Sequence, residues 1–221
     1  MANWKGWTAA LGLVAALGGG VAAPQPAAAQ GTGGSFSASH KFLKAVKERN
    51  FADMTAALSS GPTIINATDQ DTGEGALHIV TRERDSAWMR YLLTAGADPN
   101  VRDAKGTTPL MLAAEQRFVD GARLLLASGA KVDATNRTGE TPLIRAVQLK
   151  DAQMVRFLIE NGADPERQDN LAGYSARDYA ERDGRSGVIA SILRNARKPS
   201  APAATGAGLT PVPAAAAAGP K

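Results

Sequence analysis

The chain has 221 residues, 25 Lys and Arg against 21 Asp and Glu, two His and no Cys. Without cysteine there are no disulfides, thiolate zinc sites or Cys nucleophiles, and two histidines leave little for imidazole metal sites or His-based acid–base catalysis. Once Lys5, Lys198 and Lys221 are set aside, 22 basic residues face 21 acidic ones, so the charge excess marks no clustered basic stripe of the kind that neutralises phosphates.

Residues 1–29 have the layout of an export signal. Lys5 supplies the positive start, Trp7 to Leu17 an apolar segment, Gly18-Gly19-Gly20 a helix break, and Ala27-Ala28-Ala29 a small-residue cleavage site. The expected compartment is the bacterial periplasm, with an uncleaved membrane anchor as the alternative; residues 7–23 fall short of the roughly 20 apolar residues a span needs. Residues 30–39, opening Gln30-Gly-Thr-Gly-Gly-Ser, are expected to be a flexible linker.

From about residue 40 the chain repeats itself. Gly106-Thr107-Thr108-Pro109-Leu110 is answered 33 residues on by Gly139-Glu140-Thr141-Pro142-Leu143, and 33 residues back by Gly73-Glu74-Gly75-Ala76-Leu77. A second landmark, Gly96-Ala97-Asp98, keeps the same step at Gly129-Ala130-Lys131 and Gly162-Ala163-Asp164. A fixed period in this range marks a stacked repeat architecture.

Within one repeat, Thr108-Pro109 and Thr141-Pro142 place a hydroxyl at a helix start with Pro in its first turn. Leu110, Ala113 and Ala114 share a face of a short first helix. Val119, Ala122, Leu125 and Leu126 belong to a second helix that stops at Gly129, a residue suited to a left-handed C-terminal position. The polar stretch Asp133–Gly139 carries the Asp, Asn and Gly of a hairpin-like loop. Trp88 and Gly121 occupy one slot of consecutive repeats, so the large ring is expected to lie over the small residue.

These residues resemble the ankyrin repeat, whose pattern is G-x-T-P-L-H-x-A-A followed by a second helix ending in L-L-x-x-G-A-D. The resemblance covers about residues 40–197 and implies an all-α ankyrin-repeat solenoid of about five helix-turn-helix units joined by hairpin-like loops. Its parts are a cap at 40–69, repeats at 70–102, 103–135 and 136–168, and a second cap at 169–197. The cap at 40–69 rests on Phe42, Ala45, Val46, Met54, Leu58 and Gly61. The cap at 169–197 rests on Gly173-Tyr174-Ser175-Ala176 with one inserted residue. Departures from the pattern are Gly75-Ala76 in place of Thr-Pro, which deprives His78 of its usual hydroxyl partner, and Arg177 at a Leu position. Residues 198–221, rich in Pro and Ala, are expected to form a disordered tail.

The chemistry-bearing residues form no catalytic pattern. No P-loop, dinucleotide fingerprint, nucleophile elbow, HExxH or nucleic-acid motif is present. His78 falls at a structural position, and acidic groups such as Glu83/Asp85 and Asp178/Glu181/Asp183 read as solvated helix faces. The expectation is a non-catalytic module without cofactor, metal or nucleic acid, bound to another protein of the periplasm or envelope as scaffold or regulator. Its alternatives are an inhibitor or immunity-type protein and an envelope-tethered structural protein.

The resemblance also implies where a partner docks: on loop tips and the exposed side of the first helices. Carried over by position, these are Asp71, Thr72, Glu74, Arg82 and Glu83 in one repeat. The next repeat supplies Ala104, Lys105, Thr107, Glu115 and Gln116, and the third Arg137, Thr138, Glu140, Gln148 and Leu149.

Overall fold

Short helices dominate because the apolar residues recur at helical spacing between breaks every 7–9 residues, and each stretch has its own stop and start signals. In the computed structural model, which describes residues 33–59, 61–182 and 187–196, they form five antiparallel pairs. The first helices are α1 (Gly33–Lys47), α3 (Ala76–Arg82), α5 (Pro109–Glu115), α7 (Pro142–Gln148) and α9 (Ala176–Arg182). The second helices are α2 (Phe51–Leu58), α4 (Ser86–Thr94), α6 (Val119–Ala127), α8 (Ala152–Glu160) and α10 (Gly187–Asn195). A 3-10 turn, Pro62–Asn66, follows α2. Strand pairing among the described residues is limited to two single bridges, Thr68 with Gly75 and Gln168 with Ser175. The all-α repeat solenoid expected from the sequence is the fold observed.

One boundary differs. Helix α1 begins at Gly33, inside the stretch expected to be a linker at 30–39. The Gly-rich opening hides a helix whose buried face is set by Phe42, Leu43, Ala45 and Val46 further on; most helical stability comes from such packing, not propensity. The export-signal reading of 1–29 and the tail reading of 198–221 fall outside the described residues.

The start signals work as the sequence implies. Thr108 Oγ1 accepts from the Met111 N–H at 3.3 Å, and Thr141 Oγ1 from the Ile144 N–H at 3.2 Å. The second helices α4 and α8 use carboxylates: Asp85 Oδ1 accepts from the N–H groups of Ala87 and Trp88, and Asp151 Oδ1 from those of Gln153 and Met154.

Each pair buries one face against its neighbours, the first helices lying side by side in chain order, as do α4, α6, α8 and α10. One continuous core results, with Leu77, Leu110 and Leu143 at 0–1% exposure in consecutive repeats. No repeat closes its own core, so stability is a sum over neighbour interfaces. The slot shared by Trp88 and Gly121 is filled otherwise than expected. The ring closest to Gly121 is that of Phe118, where a β-carbon would lie 2.2 Å from the ring edge. Trp88 meets Phe51 edge to face, with centroids 6.1 Å apart. Phe118, at the turn within its own repeat, already occupies the space over Gly121.

Candidate interaction cleft

The hairpins that join the pairs build one wall of a cleft. Each folds around a carboxylate or amide that caps its own tip. Asp103 Oδ1 accepts from the N–H groups of Lys105 and Thr107, and Asn136 Oδ1 from those of Thr138 and Glu140. Neighbouring tips are stitched by backbone hydrogen bonds: Ala104 N–H donates to Thr72 O (2.9 Å), Arg137 N–H to Lys105 O (3.1 Å) and Asn170 N–H to Thr138 O (2.8 Å). Gly139, at φ +79°, is needed there, because a β-carbon would lie 2.6 Å from the backbone nitrogen of Asn170. Four consecutive tips are therefore held in fixed register.

The floor comes from the ends of the first helices. Arg145 donates to Glu115 Oε1 from Nε (3.0 Å) and Nη2 (2.6 Å), bridging α7 to α5. Its Nη1 lies 3.5 Å from Glu140 Oε1, which also accepts from Gln148 Nε2 at 3.2 Å. Glu74 pairs with Arg82. That hydrogen bond holds the Glu74 carboxyl below its ordinary range and raises Arg82. Burial pushes Glu140 the other way, but hydrogen bonds from Asn136 and Gln148 and the charge of Arg145 outweigh it, so its carboxyl is also lowered. The floor is thus a lattice of paired charges in which three carboxylates, Glu74, Glu115 and Glu140, share two guanidinium groups, Arg82 and Arg145.

A cleft of about 760 Å³ opens between these walls. Of the residues expected from the sequence, it brings together Asp71, Thr72, Glu74, Arg82, Ala104, Lys105, Thr107, Glu115, Arg137, Thr138 and Glu140. Four do not line it. Glu83 turns to Arg49, accepting from its Nε at 3.0 Å. Leu149 contributes its carbonyl to Arg117. Gln148 supports Glu140 from behind, and Gln116 is half-buried beside the cleft.

Sequence reasoning missed four lining residues: Asp103, Leu112, Asn136 and Arg145. Arg145 and Leu112 share a slot, and Arg145 precedes Gln148 by three, one helix turn on the same face; that spacing was the available signal. A recurring bond eight residues apart also went unread. Glu74 with Arg82, Glu140 with Gln148 (3.2 Å) and Tyr174 with Arg182 (2.6 Å) each tie a hairpin end to a first helix end.

His78 lies beneath, 1% exposed. Its Nδ1 accepts from the Gly75 N–H at 3.2 Å and its Nε2 faces Thr107 O at 3.0 Å, as a donor in the neutral tautomer this requires. Gly75 supplies from its backbone the contact for which the sequence offered no hydroxyl. Among the described residues no group of three or more His, Asp or Glu is arranged to hold a metal ion.

A family model described as ankyrin repeats in three copies matches residues 42–136, 77–169 and 121–201. Oxysterol-binding protein homolog 1 of Saccharomyces cerevisiae is 38% identical over 76 residues, which cover 33% of this chain and 6% of that protein.

Proposed function

The chain belongs to the ankyrin repeat family, and we propose on that premise that its cleft docks a partner protein of the bacterial periplasm, for which it is a scaffold or regulator. Repeats of this family are protein–protein interaction modules and in general non-catalytic. The compartment follows from the export-signal layout of residues 1–29, with Lys5, the apolar run and Ala27-Ala28-Ala29. Sequencing the N-terminus of the mature protein tests that part, and retention of Met1 overturns it.

The observation that carries the docking site is the division of charge within the cleft. Its floor charges are paired with one another, whereas the exposed side chains of Lys105 and Arg137, on adjacent tips held 3.1 Å apart backbone to backbone, form no ion pair among the described residues. Charges fixed in place and left unpaired orient a complementary surface and steer its approach. Rigid tips also lose little conformational freedom on binding.

Capture from periplasmic extract with mass spectrometry supplies the partner. Binding is then compared with a Lys105→Glu/Arg137→Glu variant. Glu115 is left alone, because reversing it breaks the Arg145 pair and confuses binding with stability. The expected result is a loss of affinity of about tenfold or more with an unchanged melt. Equal affinity sinks the assignment of the site.

A further inference from the structure

The side of the stack formed by the second helices bears a feature that the linear sequence disperses. Arg90 in α4, Arg123 in α6 and Arg156 in α8 are 33 residues apart and exposed, each at the same position of its helix. Helices α4, α6 and α8 pack directly against one another in that order. Neighbouring helices lie about 8–10 Å apart, so the three arginines mark a row about 20 Å long across the repeats.

None of the three guanidinium groups forms an ion pair among the described residues. Arg123 is held by its neighbour instead: its guanidinium carbon lies 5.3 Å from the centre of the Phe157 ring in the next repeat. Stacking of this kind fixes the planar group without satisfying its five donors. Two carboxylates flank the row, Asp120 three residues before Arg123 and Glu160 four after Arg156, and both are exposed and outside every ion pair just considered.

We infer that this row is a second docking surface, for a partner protein helix that presents acidic side chains seven residues apart. Seven residues advance a helix by about 10.5 Å, which matches one repeat step, so successive carboxylates meet successive arginines. The flanking Asp120 and Glu160 select against a uniform polyanion such as nucleic acid and against an anionic bilayer, because each meets like charge there. A protein helix can set a basic residue opposite each of them. The inference is independent of the cleft, which lies among the hairpins and first helices.

The test uses the full chain at low ionic strength and two synthetic helical peptides of identical composition, one with three Glu spaced by seven residues and one with three Glu spaced by five. Fluorescence anisotropy is expected to show tighter binding of the seven-spaced peptide. An Arg90→Gln/Arg123→Gln/Arg156→Gln variant is expected to weaken it about tenfold, and the Lys105→Glu/Arg137→Glu variant to leave it unchanged. Should the triple variant melt early, Arg90→Gln/Arg156→Gln retains the Arg123–Phe157 stack and is expected to lose at least threefold. Equal binding of the two peptides, or no loss in either variant, overturns the inference. So does tighter arginine-dependent binding of phosphatidylglycerol vesicles or an oligothymidylate.

Discussion

The guanidinium of Arg117 donates from Nη2 to the carbonyl oxygen of Leu149 in the next repeat at 2.7 Å, from a backbone held at φ +54°. The same slot is left-handed in each of the other turns between helices 1 and 2 of the first four pairs: Arg49 at φ +60°, Arg84 at +55° and Lys150 at +56°. Arg49 reaches Glu83 and Asp85, and Arg84 lies 5.9 Å from the centre of the Phe118 ring, each again in the following repeat. A side chain in this region costs about 1–2 kcal/mol of backbone strain that glycine avoids. The long side chains of Arg49, Arg84 and Arg117 offset it by bracing the next turn.

Replacing Arg117 separates the two effects. Arg117→Ala keeps the strain and loses the hydrogen bond, so it is expected to be about 1 kcal/mol less stable than the wild type in urea unfolding. Arg117→Gly loses the bond but relieves the strain, and should lie about 1 kcal/mol above the alanine variant. Equal stability of the two variants contradicts the strain argument.

His78 ties stability to pH. Burial lowers its pKa below the ordinary 6.5. In the unfolded chain the imidazole takes up a proton near that ordinary value, whereas the folded protein does not until lower pH. Its contribution is therefore fully present above about pH 6.5 and declines as pH falls below it toward the depressed folded value, with a slope no steeper than about 1.4 kcal/mol per pH unit. Urea unfolding at pH 7.5, 6.5 and 5.5 measures this loss, and His78→Gln is expected to flatten it. An undiminished pH slope in that variant places its origin elsewhere.

The repeat phase and the helix starts at Thr108 and Thr141 were legible because each depends on short-range pattern, a period or a hydroxyl before Pro; the fifteen site residues came from the resemblance to the ankyrin repeat, and eleven of them line the cleft. Part of what stayed hidden depends on contacts 30 or more residues apart. Arg145 joins the cleft through Glu115 on another helix, and the exposed Arg117 bonds the carbonyl of Leu149 in the next repeat. Sequence reasoning reads Asn136 only as part of a polar hairpin stretch and does not single out Asp103; in each the hairpin closes around the side-chain oxygen through local bonds. Trp88 was misread because a shared slot fixes where a side chain starts, not which neighbour fills the space above it.

Leu110 anchors the central repeat at 1% exposure. Leu110→Ala removes a buried isobutyl group from a rigid stack and is expected to cost about 2–5 kcal/mol in denaturant unfolding. Leu171, 81% exposed on the last hairpin, is the control: Leu171→Ala should stay within about 0.5 kcal/mol of the wild type. Similar costs at the two positions contradict the described packing.

Tyr179 donates its hydroxyl to Asp169 Oδ2 at 2.5 Å, while the other oxygen of that carboxylate accepts the N–H groups of Leu171, Ala172 and Gly173. The hydrogen bond to Asp169, with burial, pushes the phenol up to about 12. Of the three tyrosines, one should therefore ionise late in a titration followed at 295 nm, and Tyr179→Phe should remove that late step. A raised folded pKa means this bond's contribution is intact below the ordinary value near 10 and is lost as pH rises through about 12.

Glu115 and Arg145 test whether the cleft floor is one coupled unit. Their side chains are 28% and 34% exposed, and both guanidinium donors converge on a single carboxylate oxygen. Exposed pairs couple by about 0.2–1 kcal/mol, and partial burial across two repeats places this one near the upper end. A double-mutant cycle with Glu115→Gln and Arg145→Met is expected to give about 1 kcal/mol, with the coupling reduced in 1 M salt. Because the pair spans α5 and α7, its loss should also lower the cooperativity of unfolding between adjacent repeats, read as a broader urea transition. Strict additivity of the two substitutions denies that the floor is coupled.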